Sequence, residues 1–183
     1  MATISLCMIG QDEEHCVVRN LETCVSYVDE IIFVDGGSKD RTVELVSQMP
    51  KVTVFHRPFP FDFGDQKNYA IAQAKMEWVL FKDCDEYYEW DILENLQRLT
   101  TLGHVAFAFA RKTRIDGWLA NIEDHDYQVR FWKNGIGIQF VGKLHEYPVG
   151  YDSYCKCNLW IAHNKTSQMQ EQDNQLYYRM GQR

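Results

Sequence analysis

The sequence predicts an α/β protein: an open, mostly parallel sheet with helices on both faces and a smaller antiparallel second half. Three observations predict it. Between Thr3 and Phe81, short β-rich apolar runs alternate with helix-compatible segments, the pattern of parallel strands joined by crossover helices. The runs end at polar or glycine-bearing turns, with clusters at Gly10–Glu13, Asp35–Ser38 and Asp83–Glu86. Beyond about residue 102 the apolar runs flank the turn-rich stretches "IDGW" and "KNGIG", which favour antiparallel pairing.

The elements follow in order. "TISLCMI" (3–9) reads as a buried strand broken by Gly10. "QDEEHCVVRNLETCVSYV" opens with acidic residues and places apolar side chains at 17, 18, 21, 25 and 28, an amphipathic helix whose early charge suits its dipole. "EIIFVD" (30–35) is a second buried strand, stopped by Gly36-Gly37. Ser38 is positioned to cap a helix from Asp40 to Met49, which Pro50 ends. "KVTVFH" (51–56) is the third strand. An aromatic loop, "RPFPFDFG" (57–64), leads into a helix from about Asp65 to Lys75, and "WVLF" (78–81) is the fourth strand. A helix at about 90–101 precedes strands near 104–113, 126–132, 136–141 and 154–162, and the polar tail from Thr166 is helix-compatible.

Composition narrows the function classes. With 183 residues, 45% hydrophobic and 14% aromatic, the chain suffices for one compact globular unit. A net charge of −7 argues against nucleic acid as a partner held by a broad basic face. The N-terminus "MATISLCMIGQDEEH" has no basic leader of a signal peptide, and the apolar run "HVAFAFA" is too short to cross a bilayer. The six cysteines lie mostly within periodic segments and read as reduced packing thiols of a cytoplasmic protein, with peripheral attachment at the inner membrane face as a variant.

The stretch "WVLFKDCDE" sets the central problem, because Asp83, Asp85 and Glu86 place three carboxylates within four residues at the end of a buried strand. Charges that close repel unless a cation lies between them. Asp83 and Asp85 fall on one side of an extended segment and offer hard oxygen ligands for Mg²⁺ or Mn²⁺. The competing reading is a solvated acidic turn. In open α/β sheets ligands bind beyond the carboxyl ends of the strands, so the three polar clusters should converge on one crevice. Asp35 offers a carboxylate before a glycine-permitted turn, and Asp12-Glu13-Glu14 either reach a ligand or only complement a helix dipole.

The blocks "ISLCMIGQDEE", "VDEIIFVDGGSKDRTVEL", "FDFGDQKNYAIAQA" and "WVLFKDCDE", followed by "YQVRFWKNGIGIQFVGKLHEYP", resemble in order and spacing the family 2 glycosyltransferases. More narrowly, they resemble the bacterial branch that includes lipopolysaccharide core β-glucosyltransferases. The resemblance covers about residues 3–165. It implies a GT-A (Rossmann-like) fold with residues 1–102 as the nucleotide-sugar-binding half, 103–165 as the acceptor and catalytic half, and 166–183 as a polar helical tail. It also implies transfer of a sugar from a nucleotide diphosphate donor, a UDP-sugar being favoured, usually with inversion. Asp35 then matches the acidic contact to the nucleobase, and Asp83 and Asp85 match the Asp-x-Asp pair that handles the ribose and the diphosphate-bound metal. Lys67 and Asn68 stand where relatives commonly carry Arg-Asn, so Lys67 becomes a contact to base or phosphate, and Asp12 is assigned to the donor site. "VDGGS" and the Lys-for-Arg exchange depart from the family pattern and bear on nucleotide identity.

Such a transfer needs a base on the acceptor hydroxyl. Glu146 in "GKLHEYP" is assigned that role, with His145 orienting it, binding phosphate or serving the metal; Asp116, Asp124 and Asp126 are the alternatives. His163, ending the last strand in "LWIAHN", is assigned to the metal or diphosphate, against a purely structural reading. Cys155-x-Cys157 reads as packing rather than zinc ligation, because no second pair accompanies it. Phe59, Phe61 and Phe63 read as packing under their loop, Trp118 and Trp132 as sugar-stacking candidates, and Arg130 as either a phosphate contact or a strand-edge charge. A glycan or lipid-linked glycan is the expected acceptor. A nucleotidyltransferase fits poorly, because the loop after the first strand, "GQDEE", is acidic; a shortened non-catalytic binding module is the other alternative.

Overall fold

A computed structural model describes residues 1–120 and 126–181. Asp124, one of the alternative bases, lies outside the described residues. Strands β1 (Ile4–Gly10), β2 (Glu30–Asp35), β3 (Val52–His56) and β4 (Trp78–Phe81) are separated by helices α1 (Val17–Glu22), α2 (Thr42–Ser47) and α3 (Phe63–Ile71). Next come β5 (Glu86–Tyr88), α4 (Trp90–Leu99), β6 (Ala106–Ile115), β7 (Trp118–Leu119) and β8 (Asp126–Lys133). The chain finishes with β9 (Gln139–Val141), β10 (Tyr147–Val149), β11 (Cys155–Lys165) and α5 (Ser167–Arg179).

The main sheet runs in the order β3-β2-β1-β4-β8-β6-β11-β5, with β7 paired to β6. Strands β1 to β4 are parallel, as expected. β8 is antiparallel to both β4 and β6, so the second half extends the first sheet instead of forming its own. β11 lies parallel to β6, which corrects the expectation of antiparallel pairing throughout the second half. The short strand β5, not anticipated, pairs antiparallel with the end of β11 through Glu86 and His163. A separate β9–β10 hairpin is antiparallel.

Alternation along the strands divides the core in two. Ile4, Leu6 and Met8 of β1 pack with Phe33, Leu80, Phe107 and Phe131 under α1, α2 and α4. Cys7, Ile32, Val79 and Phe81 face the other way, against Ala70 of α3 and Phe140 of the hairpin. Such period-two burial on both faces requires cover on both sides of the sheet. Trp132, expected as a sugar platform, is only 2% exposed within this second core and its ring meets Phe140; it packs and does not stack on ligand. Trp118 remains 82% exposed at the β6–β7 hairpin. Phe59 and Phe63 pack ring to ring at 4.8 Å, as the alternating loop suggested, whereas Phe61 is 56% exposed and does not pack under the loop.

Two helix ends differ from expectation for one reason. The main-chain N–H groups of Asp12, Glu13 and Glu14 donate to Ser38 Oγ, Thr42 Oγ1 and Asp40 Oδ2. These bonds hold the loop after β1 against the loop after β2, where Asp12 at φ 59° lies outside helical backbone, and α1 starts at Val17. Ser38 is thereby spent on Asp12 and does not cap α2, whose first residue is Thr42. α3 is capped by Asp62, which accepts from Asp65 N.

Candidate active site

The carboxyl ends of β1, β2, β4, β6 and β11 all point to one edge of the sheet, by the parallel and antiparallel registers above. The acidic turn Asp83–Glu86 leaves β4 at that edge, where Glu86 N donates to Asp83 O at 3.1 Å. The three polar clusters seen in the sequence therefore do meet, and each carboxylate finds a partner.

Asp85 faces β11. Its Oδ2 lies 2.8 Å from His163 Nε2 and 3.6 Å from Lys165 Nζ. Residues 163 and 165 share one face of the strand, so the alternation in "HNK" places Lys165 beside His163. His163 Nδ1 lies 3.0 Å from Thr113 Oγ1, which fixes the ring. Burial pushes the Asp85 carboxyl up, but the His163 hydrogen bond and charge outweigh it and hold it below the usual carboxylate value.

Asp83 turns to the other side. Its Oδ1 meets Lys67 Nζ at 2.8 Å and its Oδ2 meets Arg130 Nη2 at 2.7 Å. Burial raises its pKa, yet Lys67 and then Arg130 depress it well below the ordinary range. Arg130 is buried, not at a strand edge, and also binds the fully buried Glu86 at 2.7 Å; Arg111 approaches Glu86 at 3.4 Å and binds Asp126 at 2.6 Å. Asp126 is thus engaged by Arg111, while Asp116 accepts from Ser167 at the start of α5. Glu86 is a buried counter-ion rather than part of an open acidic patch.

Glu146 sits in the loop joining β9 and β10, and Lys67 Nζ binds its Oε1 at 2.7 Å. One buried lysine therefore bridges Asp83 and Glu146, its ammonium also lying over the rings of Phe81 and Phe140. Asn68, next on α3, spends its carboxamide on β9: Nδ2 donates to Phe140 O at 2.8 Å, and Oδ1 accepts from Phe140 N at 2.7 Å. Phe63 N donates to Lys143 O at 3.0 Å, and a Cβ at Gly64 would come within 2.6 Å of Gly142 O. Helix α3 thus grips the loop that carries Glu146.

Asp35 closes its own turn, accepting from Gly37 N and Ser38 N at 3.2 and 3.0 Å, with His56 Nδ1 at 3.4 Å. Asp12, at φ 59°, accepts from Lys39 N at 2.6 Å. The carboxylates at the two strand ends are thus built into the loops at this edge of the sheet. Glu13, His15 and Cys16 form a further donor group whose ligand atoms lie within 4.8 Å of one another. Cys155 and Cys157 sit at the opposite end of β11 from His163, which rules out a shared ion for these three.

α5 borders the site. Thr166 caps it by accepting from Met169 N, and Asp173 pairs with Lys165. The Tyr177 ring meets His145 edge-on at 5.7 Å. Burial raises the Tyr177 pKa, with Asp173, Glu146 and Asp85 adding to the shift and Lys165 opposing it, so its hydroxyl lies in the field of both predicted halves of the site. His145 itself is exposed at φ 53°. Nothing in the polar tail singled out Tyr177 beforehand. A cavity of about 560 Å³ lies elsewhere, lined by Ala2, Trp78, Lys133 and Asn134, at the opposite edge of the sheet.

Residues 5–159 match the family model for glycosyl transferase family 2. The chain belongs to that family. Among curated relatives, glycosyltransferase SunS of Bacillus phage SPbeta is 27% identical over 169 residues, which cover 88% of this chain and 39% of SunS. A TPR repeat-containing protein of Synechococcus elongatus is 40% identical over 86 residues, covering 47% of this chain and 21% of that protein. The chain therefore spans well under half the length of either relative. Among solved structures, S. aureus TarS superposes with a TM-score of 0.57 at 15% identity, covering 85% of this chain and 37% of TarS. Glucosyl-3-phosphoglycerate synthase of Mycobacterium tuberculosis, solved with Mn²⁺ and UDP, gives a TM-score of 0.50 at 21% identity, covering 62% of this chain and 44% of that one. The fold of this family 2 chain is that of GT-A glycosyltransferases. Among the described residues no helix is long and apolar enough to cross a membrane.

Proposed function

We propose that this crevice transfers a hexose from a UDP-sugar to an acceptor hydroxyl, with inversion and with Mn²⁺ or Mg²⁺ at Asp85. The observation that carries the reading is the pairing of Asp85 with His163 at 2.8 Å on one side of the acidic turn, while Lys67 holds Glu146 on the other. A carboxylate oxygen and an imidazole nitrogen that close need a proton or a cation between them. One carboxylate and one imidazole fit Mn²⁺, and diphosphate oxygens and water complete such a shell. His163 is oriented by Thr113, the kind of support that metal-binding histidines receive. When bound, the cation neutralises charge that develops on the departing diphosphate.

The chain's own residues take the remaining roles. Glu146 accepts the acceptor's proton as the acceptor oxygen bonds to the anomeric carbon and the bond from that carbon to the diphosphate breaks. Lys67 aligns Glu146 with Asp83, and Asp83 directs the ribose and the diphosphate. Asp35 and Asp12 line the nucleoside end of the crevice. Asn68 acts through the loop it holds. TarS has been solved with UDP and with UDP-GlcNAc, which supports a UDP-linked donor. Trp118, exposed on the hairpin beside β11's carboxyl end, suits a glycan acceptor.

Thermal unfolding with UDP-, GDP-, CMP- and dTDP-sugars, each with Mn²⁺ and with EDTA, tests the assignment. A ligand confined to the native state raises Tm. The UDP-sugar with Mn²⁺ is expected to raise it, and EDTA or Asp85→Ala to abolish the rise. A shift that is independent of metal, or kept in Asp85→Ala, would count against the assignment.

A further inference from the structure

We infer that Asn20 is a positioning residue for Asp85: it clamps the main-chain carbonyls of the two neighbouring residues, Cys84 and Glu86, and so sets the site's affinity for its divalent cation. The inference rests on the proposed metal role of Asp85. Asn20 lies on α1 and is fully buried. Its Nδ2 donates to Cys84 O and to Glu86 O, each at 2.7 Å. Those are the main-chain carbonyls of the residues on either side of Asp85, the first in the Cys84–Asp85 peptide and the second in the peptide after Glu86.

The orientation of the amide is not open to choice, because two carbonyl oxygens can only be met by the NH₂ group. The consequence is visible at the other end of the side chain, where buried Oδ1 has no partner in the structure. An unmet buried acceptor is unfavourable, so the side chain is oriented for its two donor bonds at the expense of its own oxygen.

The clamp is itself anchored. Lys82 Nζ, buried at the end of β4, donates to Asn20 O at 3.2 Å. Cys84 Sγ reaches Ile9 O at 3.2 Å, tying the turn to β1. On the opposite side Arg130 fixes Asp83 and Glu86. Asp85 projects from a turn held from both sides, and Asn20 holds the carbonyls of the two residues that flank it. Groups that orient metal ligands in this way typically alter metal affinity by about 10–100-fold when removed.

The test uses Mn²⁺ as the probe, titrated with UDP at fixed concentration and read from the electron paramagnetic resonance signal of the free ion. Asn20→Leu removes both donors, and Asn20→Ser keeps a short one that carries the test if the leucine variant does not fold. Unfolding in EDTA is measured in parallel, and Val46→Ala, on the buried face of α2 in the same core, serves as a destabilised control. The expected result is a Mn²⁺ dissociation constant raised by about 10–100-fold in Asn20→Leu, a smaller rise in Asn20→Ser, and none in Val46→Ala. Unchanged Mn²⁺ affinity in folded Asn20 variants, or an equal loss in Val46→Ala, would overturn the inference while leaving the proposed function standing. Wild-type protein whose Mn²⁺ binding does not depend on Asp85 would overturn both.

Discussion

Glu146→Gln is expected to lower the turnover of a UDP-sugar by about 10²–10⁴-fold, the usual contribution of a positioned general base. The substitution keeps shape and leaves an oxygen to accept from Lys67, which now lies 2.7 Å from the carboxylate. It removes only the ability to take a proton. Donor and Mn²⁺ affinities should therefore persist, so that kcat falls without a matching rise in KM, the signature of an interaction made in the transition state. UDP release from a UDP-sugar, to water or to a test acceptor, reads the effect. A variant with undiminished turnover would move the base elsewhere, with Asp126 beside Arg111 and Asp116 beside Ser167 as the described alternatives.

Arg130→Met should be the most damaging substitution to stability. Arg130 is buried and satisfies Asp83 Oδ2 and the fully buried Glu86 at 2.7 Å each. Removing one partner of a buried ion network leaves uncompensated charge and costs about 3–5 kcal/mol. Here Lys67 still serves Asp83, while Glu86 keeps Arg111 and the main-chain N–H of Asp83, each at 3.4 Å. Acid should expose the same change. Asp83 has a depressed pKa in the folded chain, so its ionised form adds stability that is present above the unfolded value of about 3.9 and is lost as pH falls below it. Without Arg130 that depression shrinks, and the acid-unfolding midpoint should move to higher pH. Urea titrations at neutral pH and acid titrations of both proteins check the two effects; equal stability would mean that the network is dispensable.

Strand-end chemistry was legible in the sequence because it is local. The strand order up to β4, and the places where Asp35, Asp83 and Asp85 emerge, follow from apolar runs that stop at turns. The end of the last apolar run also put His163 at a strand end within reach of the metal or diphosphate. What was not legible depends on contacts between distant segments. Arg130 could be a phosphate contact or a strand-edge charge until β8 was seen to insert between β4 and β6. Trp132 looked available to a sugar until the hairpin carrying Phe140 covered it. The amphipathic pattern after Gln11 suggested a long helix, but it could not reveal that Ser38, Asp40 and Thr42 capture the N–H groups of residues 12–14. Lys67 was read as a ligand contact, and its bridge between Asp83 and Glu146 emerges only when α3 packs against the β9–β10 loop. Asn20 and Tyr177 carried no local mark at all.

The location of Mn²⁺ in crystals grown with UDP, read from anomalous scattering, tests the central claim most directly. The account predicts a single strong peak within ligand distance of Asp85 and His163, with diphosphate oxygens on the same ion and Lys165 displaced from the 3.6 Å contact it now makes with Asp85. A peak at Glu13, His15 and Cys16 instead, or UDP bound in the crevice with no metal at Asp85, would contradict it.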